Sequence, residues 1–136
     1  MGATIHMHIE TKLGDNWFHY SAPSIFRDRD FFEIVAGIYE GQPMVVPRGL
    51  PEKLSFETQR SFDLDSKRFK PHHIGWLSSK ELVELQKRLI EIGEEQGKNS
   101  LECDLEEEYF HTYICGNSIA CHKGWDDSRF IFWFDN

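Results

Sequence analysis

Thr4-Ile5-His6-Met7-His8-Ile9-Glu10 is the stretch whose reading decides the fold. Side chains at i, i+2 and i+4 of a strand share a face. As a strand it stacks Ile5, Met7 and Ile9 on one side, and His6, His8 and Glu10 on the other. The first set is an ordinary core face. The second is a row of two imidazoles and a carboxylate where an open antiparallel sheet usually carries Thr, Lys or Ser. Such a row can ligate a divalent transition metal, with zinc or manganese suiting these donors, through His6, His8 and Glu10. It can also pass protons, with His6 and one of His8 or His72 as general acid and base and Glu10 orienting or activating water. Equally it can be a wet sheet face whose histidines bond to neighbours or to water.

Working outward, residues 4–13 alternate, Gly14-Asp15-Asn16 supplies turn chemistry, and Trp17 to Tyr20 resume with β-formers, so the opening reads as a hairpin. Its register decides whether Tyr20 or Ser21 lies beside Glu10. Phe31, Ile34, Val35 and Ile38 recur at helical spacing behind Asp28 or Asp30 as N-cap. A second helix opens on the capping box Ser78-Ser79-Lys80-Glu81, buries Leu82, Leu85, Leu89 and Ile92, and ends at Gly93 or Gly97. Between the helices, Tyr39 to about Ile74 reads as a long irregular stretch punctuated by Pro43, Pro47 and Pro51, of the kind that covers or builds a site. Residues 109–115, 118–122 and 129–135 read as three more strands, the last with both faces covered. The expectation is a single α+β domain over residues 1–136, with about five mostly antiparallel strands and two helices packed on one face.

Further candidates lie away from the opening strand. His72 and His73 precede the capped helix, where a helix N-terminus favours anions; His72 joins the acid–base candidates, and two adjacent residues in an extended segment are not expected to face one site together. Pro47-Arg48-Gly49-Leu50-Pro51 is a stiff turn that would hold the Arg48 guanidinium ready for a phosphate or carboxylate. Arg27 or Arg29 would serve an anion while the other pairs with a nearby acid. Asp135 would enter the histidine face, or pin a histidine tautomer, if the last strand lies beside the first. His19, His111 and His122 receive no role.

A net charge of −8 argues against non-specific binding to nucleic acid or anionic membrane, because phosphate neutralisation needs Lys and Arg in excess. It leaves room for a small anionic ligand held by a few placed arginines. Eleven Phe and four Trp favour a sheet with bulky packing. Cys103, Cys115 and Cys121 make an odd set without CxxC spacing, which favours reduced thiols in a cytoplasm over a disulfide framework. The sequence shows no signal peptide and no apolar run of membrane-spanning length.

Several pieces together resemble a family of small uncharacterised proteins of tailed phages and prophages. They are the opening Met1-Gly2, Ile5, His6 and Glu10; the helix start from Arg27 to Ile38; the Pro47 to Pro51 turn; His72 to Leu82; and the terminal Phe132 to Asn136. Family members differ in carrying a Cys-Asp pair where Ala3-Thr4 stands and a second His where Ile74 stands. The resemblance implies expression in the cytoplasm of an infected bacterial host, and it implies no activity. It picks out His6, Glu10, Arg48, His72 and Asp135 as pattern positions. The leading functional expectation is a metal-assisted or histidine-based hydrolase of a nucleotide or other phosphoester, such as a host defence signal. The alternatives are a binding protein that sequesters a nucleotide-like signal, with Trp17, Tyr20 or Trp76 stacking on a base, and an acidic inhibitor docking on a host protein through Glu102 to Glu108.

Overall fold

The computed structural model of the chain describes residues 2–24, 29–38, 41–95 and 124–136. In chain order the elements are β1 (Thr4–Leu13), β2 (Asn16–Ser21), α1 (Arg29–Ala36), α2 (Phe56–Arg68), β3 (His72–Ser78), α3 (Ser79–Glu95) and β4 (Asp127–Asp135). The strands form one four-stranded antiparallel sheet in the order β2-β1-β4-β3. Last and first strands are therefore central neighbours, with His6 opposite Trp133 and Thr4 opposite Asp135.

The α+β class stands, and its details differ from expectation. Four strands and three helices are seen among the described residues, against about five strands and two helices expected. The strands expected over 109–115 and 118–122 lie outside the described residues. The two expected helices do share one face. Phe31, Phe32, Ile34 and Val35 of α1 and Leu82 and Leu85 of α3 join Ile5, Met7, Ile9, Phe130, Phe132 and Phe134 in one buried apolar cluster. Each fully buried Phe in it contributes roughly 1.5–3 kcal/mol of burial. The capping box of α3 forms as read: Ser78 Oγ accepts from the Glu81 amide, and Glu81 Oε1 accepts from the Ser78 amide. The helix passes Gly93 and runs to Glu95. In α1, Asp30 sits within the first turn rather than at the cap, and Arg29 donates to Glu33 at 2.9 Å.

The stretch expected to be irregular from Tyr39 to Ile74 contains α2 and the start of β3. Ser55 caps α2, its hydroxyl accepting from the Thr58 amide. The helix escaped hydrophobic periodicity because its inward stripe is itself half polar: Thr58, Phe62 and Asp65, continued by Phe69 just beyond its end. That stripe packs on the opposite sheet face from α1 and α3. The Phe62 ring meets Trp133 edge-on at 5.1 Å, and the Trp133 indole donates to Asp65 at 2.9 Å. The sheet is thus covered on both sides.

β3 needs Gly75, since a Cβ there would meet the Phe132 ring at 2.8 Å and the Pro47 backbone at 3.2 Å. Pro47 to Gly49 runs along the outer edge of β3, with the Gly49 amide donating to Ile74 O. Gly49 takes φ +81, a conformation glycine adopts without strain. Such a strap blocks an otherwise open sheet edge.

Candidate functional site

Strand alternation delivers His6, His8 and Glu10 to one face, as expected, and α2 roofs that face. The three side chains do not converge. Each one is claimed by a different partner.

His6 Nε2 donates to Asp135 Oδ2 at 2.6 Å, a bond that exists because β4 lies beside β1. With the proton held on Nε2, a neutral ring keeps its lone pair on Nδ1. Nδ1 stands 3.7 Å from Asp65 Oδ2, the oxygen that also accepts from Trp133. That spacing is too long for a hydrogen bond and short enough for strong attraction to an imidazolium. The ring lies between Phe69, at 5.2 Å and 20°, and Trp133, at 6.3 Å and 18°. Its side chain keeps 30% of its surface exposed, so this imidazole is both oriented and reachable.

His8 also stacks on Trp133, at 5.1 Å and 19°, and its Nδ1 meets His19 Nε2 at 3.1 Å. Burial pushes its pKa down to about 4, His19 adding to the effect while Asp65 and Glu10 oppose it. The ring is therefore neutral at pH 7. The hairpin register sets this contact. A bulge between Ile9 and Glu10 puts His19 opposite Glu10 and Ser21 opposite Ile9, so neither Tyr20 nor Ser21 lies beside Glu10.

Glu10 is fully buried. Its Oε1 accepts from Nε and Nη2 of Arg129 at 2.8 and 2.6 Å, and its Oε2 from the Ser55 amide at 2.8 Å. Burial pushes its carboxyl up, but the hydrogen bonds from Ser55 and Arg129 outweigh that and hold it below the usual range. Arg129 also donates to the carbonyls of Glu52 and Lys53 and lies over Trp17 at 4.0 Å. This clasp ties the sheet to the start of α2. Both Glu10 oxygens are engaged and the side chain is sealed from solvent, so it is not placed to activate water. Among the described residues, no three His, Cys, Asp or Glu side chains are arranged to hold a metal ion.

The remaining candidates sit elsewhere. His72 stacks on Phe134, a member of the apolar cluster, and so lies on the other sheet face from His6. Its Nε2 meets Asn136 Oδ1 at 3.0 Å and its Nδ1 meets His73 Nδ1 at 2.7 Å. The two adjacent rings do come together, against expectation, because His73 adopts φ +49 within a bulge of β3. Arg48 pairs with Glu81 and lies over Trp76 at 3.8 Å, at the β3 edge. Arg27 lies outside the described residues. Trp17 and Trp76, expected to stack on a base, each already carry a guanidinium.

Comparison with protein-family models, curated proteins and solved structures finds no match. The site therefore stands on its own chemistry. His6 and Asp135 are brought together, and Asp65, Trp133, His19 and Arg129 join the row without having been singled out in sequence. Arg129 had a legible signal: it continues the Ile131, Trp133, Asp135 face of the last strand two residues back. Asp65 depended on recognising α2, and His19 on a bulge that no sequence pattern marks. No helix among the described residues is long and apolar enough to cross a membrane.

Proposed function

We propose that the chain is a small histidine-based hydrolase with His6 as its general base. The observation that supports this reading is the 2.6 Å bond from His6 Nε2 to Asp135, which fixes the ring and leaves Nδ1 free to take a proton. Asp135 and Asp65 would stabilise the imidazolium as water is activated, the role a carboxylate plays behind a catalytic histidine. Trp133 keeps Asp65 in place through its indole N–H. The substrate class in this proposal is a nucleotide or other small phosphoester, in the cytoplasm of an infected bacterium. Two carboxylates beside His6 repel a highly charged phosphoryl group, so within this class a singly charged diester suits the site better than a monoester. Neither Glu10, His72 nor Arg48 takes part: Glu10 is a structural anchor, and the other two stand at different places.

The test is turnover of a broad nucleotide and phosphoester panel by the purified chain. His6→Gln should lower kcat about 10²–10⁴-fold and Asp135→Asn somewhat less. A panel without turnover, or a His6→Gln variant as active as the parent, overturns the proposal.

One observation favours a second reading. Every polar side chain of the row already has a partner within the protein, as in a binding surface that recognises a ligand without transforming it. Thermal stabilisation by a nucleotide recovered unchanged would support sequestration over hydrolysis. The Glu102 to Glu108 segment of the docking alternative lies outside the described residues.

A further inference from the structure

Two imidazoles apart from the His6–Asp135 pair face each other from neighbouring strands. His8 Nδ1 and His19 Nε2 are 3.1 Å apart, with ring planes tilted by 59°. A contact between two ring nitrogens holds one proton and one lone pair, so both in-plane bonding directions meet in the same gap. A tetrahedral Zn²⁺ about 2.0–2.1 Å from each nitrogen sets them roughly 3.3 Å apart. Exchanging the shared proton for a metal therefore needs an opening of a few tenths of an ångström and a turn of each ring by about 35°, since the metal sits off the line joining the nitrogens.

Both rings are placed by ordered backbone. The bulge after Ile9 brings His19 into register opposite Glu10, diagonal to His8, and Trp133 lies flat against the His8 ring. His8 is neutral at pH 7, the state in which imidazole ligates. The other close pair fits less well: His72 and His73 approach at 2.7 Å, well inside the chelating separation, and His73 is exposed.

We propose that His8 and His19 form a two-imidazole site for a divalent transition metal of the zinc type, with water completing the coordination. The pair replaces the set His6, His8 and Glu10, two members of which are held by Asp135 and Arg129. The proposal is independent of the hydrolase reading, because it uses neither His6 nor Asp135.

The full chain is titrated with Zn²⁺ alone by calorimetry and with Co²⁺ by visible absorption. One equivalent should bind, with tetrahedral Co²⁺ bands and no thiolate charge-transfer band. His19→Ala should weaken Zn²⁺ about tenfold or more, while His73→Ala and His6→Gln leave it unchanged. Should His19→Ala fail to fold, imidazole-nitrogen NMR of the parent chain decides: Zn²⁺ must shift two ring systems and spare that of His6. Absence of binding, an unaltered affinity in folded His19→Ala, loss in His73→Ala, or a thiolate band overturns the assignment.

Discussion

The two faces of the central β1–β4 pair share one backbone and are held by different forces. On the face toward α1 and α3, Ile5, Met7 and Ile9 meet Phe130, Phe132 and Phe134 in a cluster that needs no partner in particular, only shape. On the face toward α2, each residue is matched individually: His6 to Asp135, His8 to His19, Glu10 to Arg129 and Trp133 to Asp65. The apolar face tolerates exchange among residues of similar volume. The polar face does not at Glu10 and Arg129, where losing one member strands the other away from water. His6, the proposed general base, belongs to this matched face and still reaches solvent.

The comparison breaks first at Glu10. Glu10→Ala leaves Arg129 buried without its carboxylate and should cost about 3–5 kcal/mol of stability, as much as Phe132→Ala on the apolar face. Urea unfolding of the two variants compares them directly. A loss under about 1 kcal/mol for Glu10→Ala would show that the clasp is not what fastens α2.

The next effect is a pH dependence peculiar to the polar face. His8 has its pKa lowered from 6.5 to about 4 in the folded chain, so the unfolded state takes up a proton first as pH falls. Its contribution is complete above pH 6.5 and is lost progressively down to about pH 4, by about 3 kcal/mol in all. His19 on β2, Asp65 on α2, and Glu10 and His6 on β1 face this ring and tune the loss. His8→Gln should flatten the stability profile between those limits. An unchanged slope in that variant would reassign the acid sensitivity to another group.

Smallest is the edge pair. Arg48→Ala removes a half-exposed bond to Glu81 and the stacking on Trp76, and should cost about 1 kcal/mol in thermal unfolding. A cost near that of Glu10→Ala would place Arg48 among the matched polar groups instead of at their margin.

Legibility followed the same division. Alternation in residues 4–10 and in the last strand marked both faces of β1 and β4, and the Ser78 to Glu81 box marked the start of α3. These are local signals, carried by residues close in sequence. The α2 helix was hidden because it packs on polar groups, so its inward stripe mixes Thr58 and Asp65 with Phe62. β3 was hidden because its bulge and Gly75 interrupt the alternation. For Asp135 the sequence supplied a condition and the topology met it.

By itself, the sequence determined which side chains share a strand face and where one helix begins, since both follow from backbone periods of two and 3.6 residues. Only the tertiary structure decided that Asp135 meets His6, that His19 meets His8, and that Arg129 takes Glu10 out of play. Those pairings join residues 129, 11 and 119 positions apart. Strand order, a bulge and a helix roof choose such partners, and none of the three is written in any local stretch of the chain.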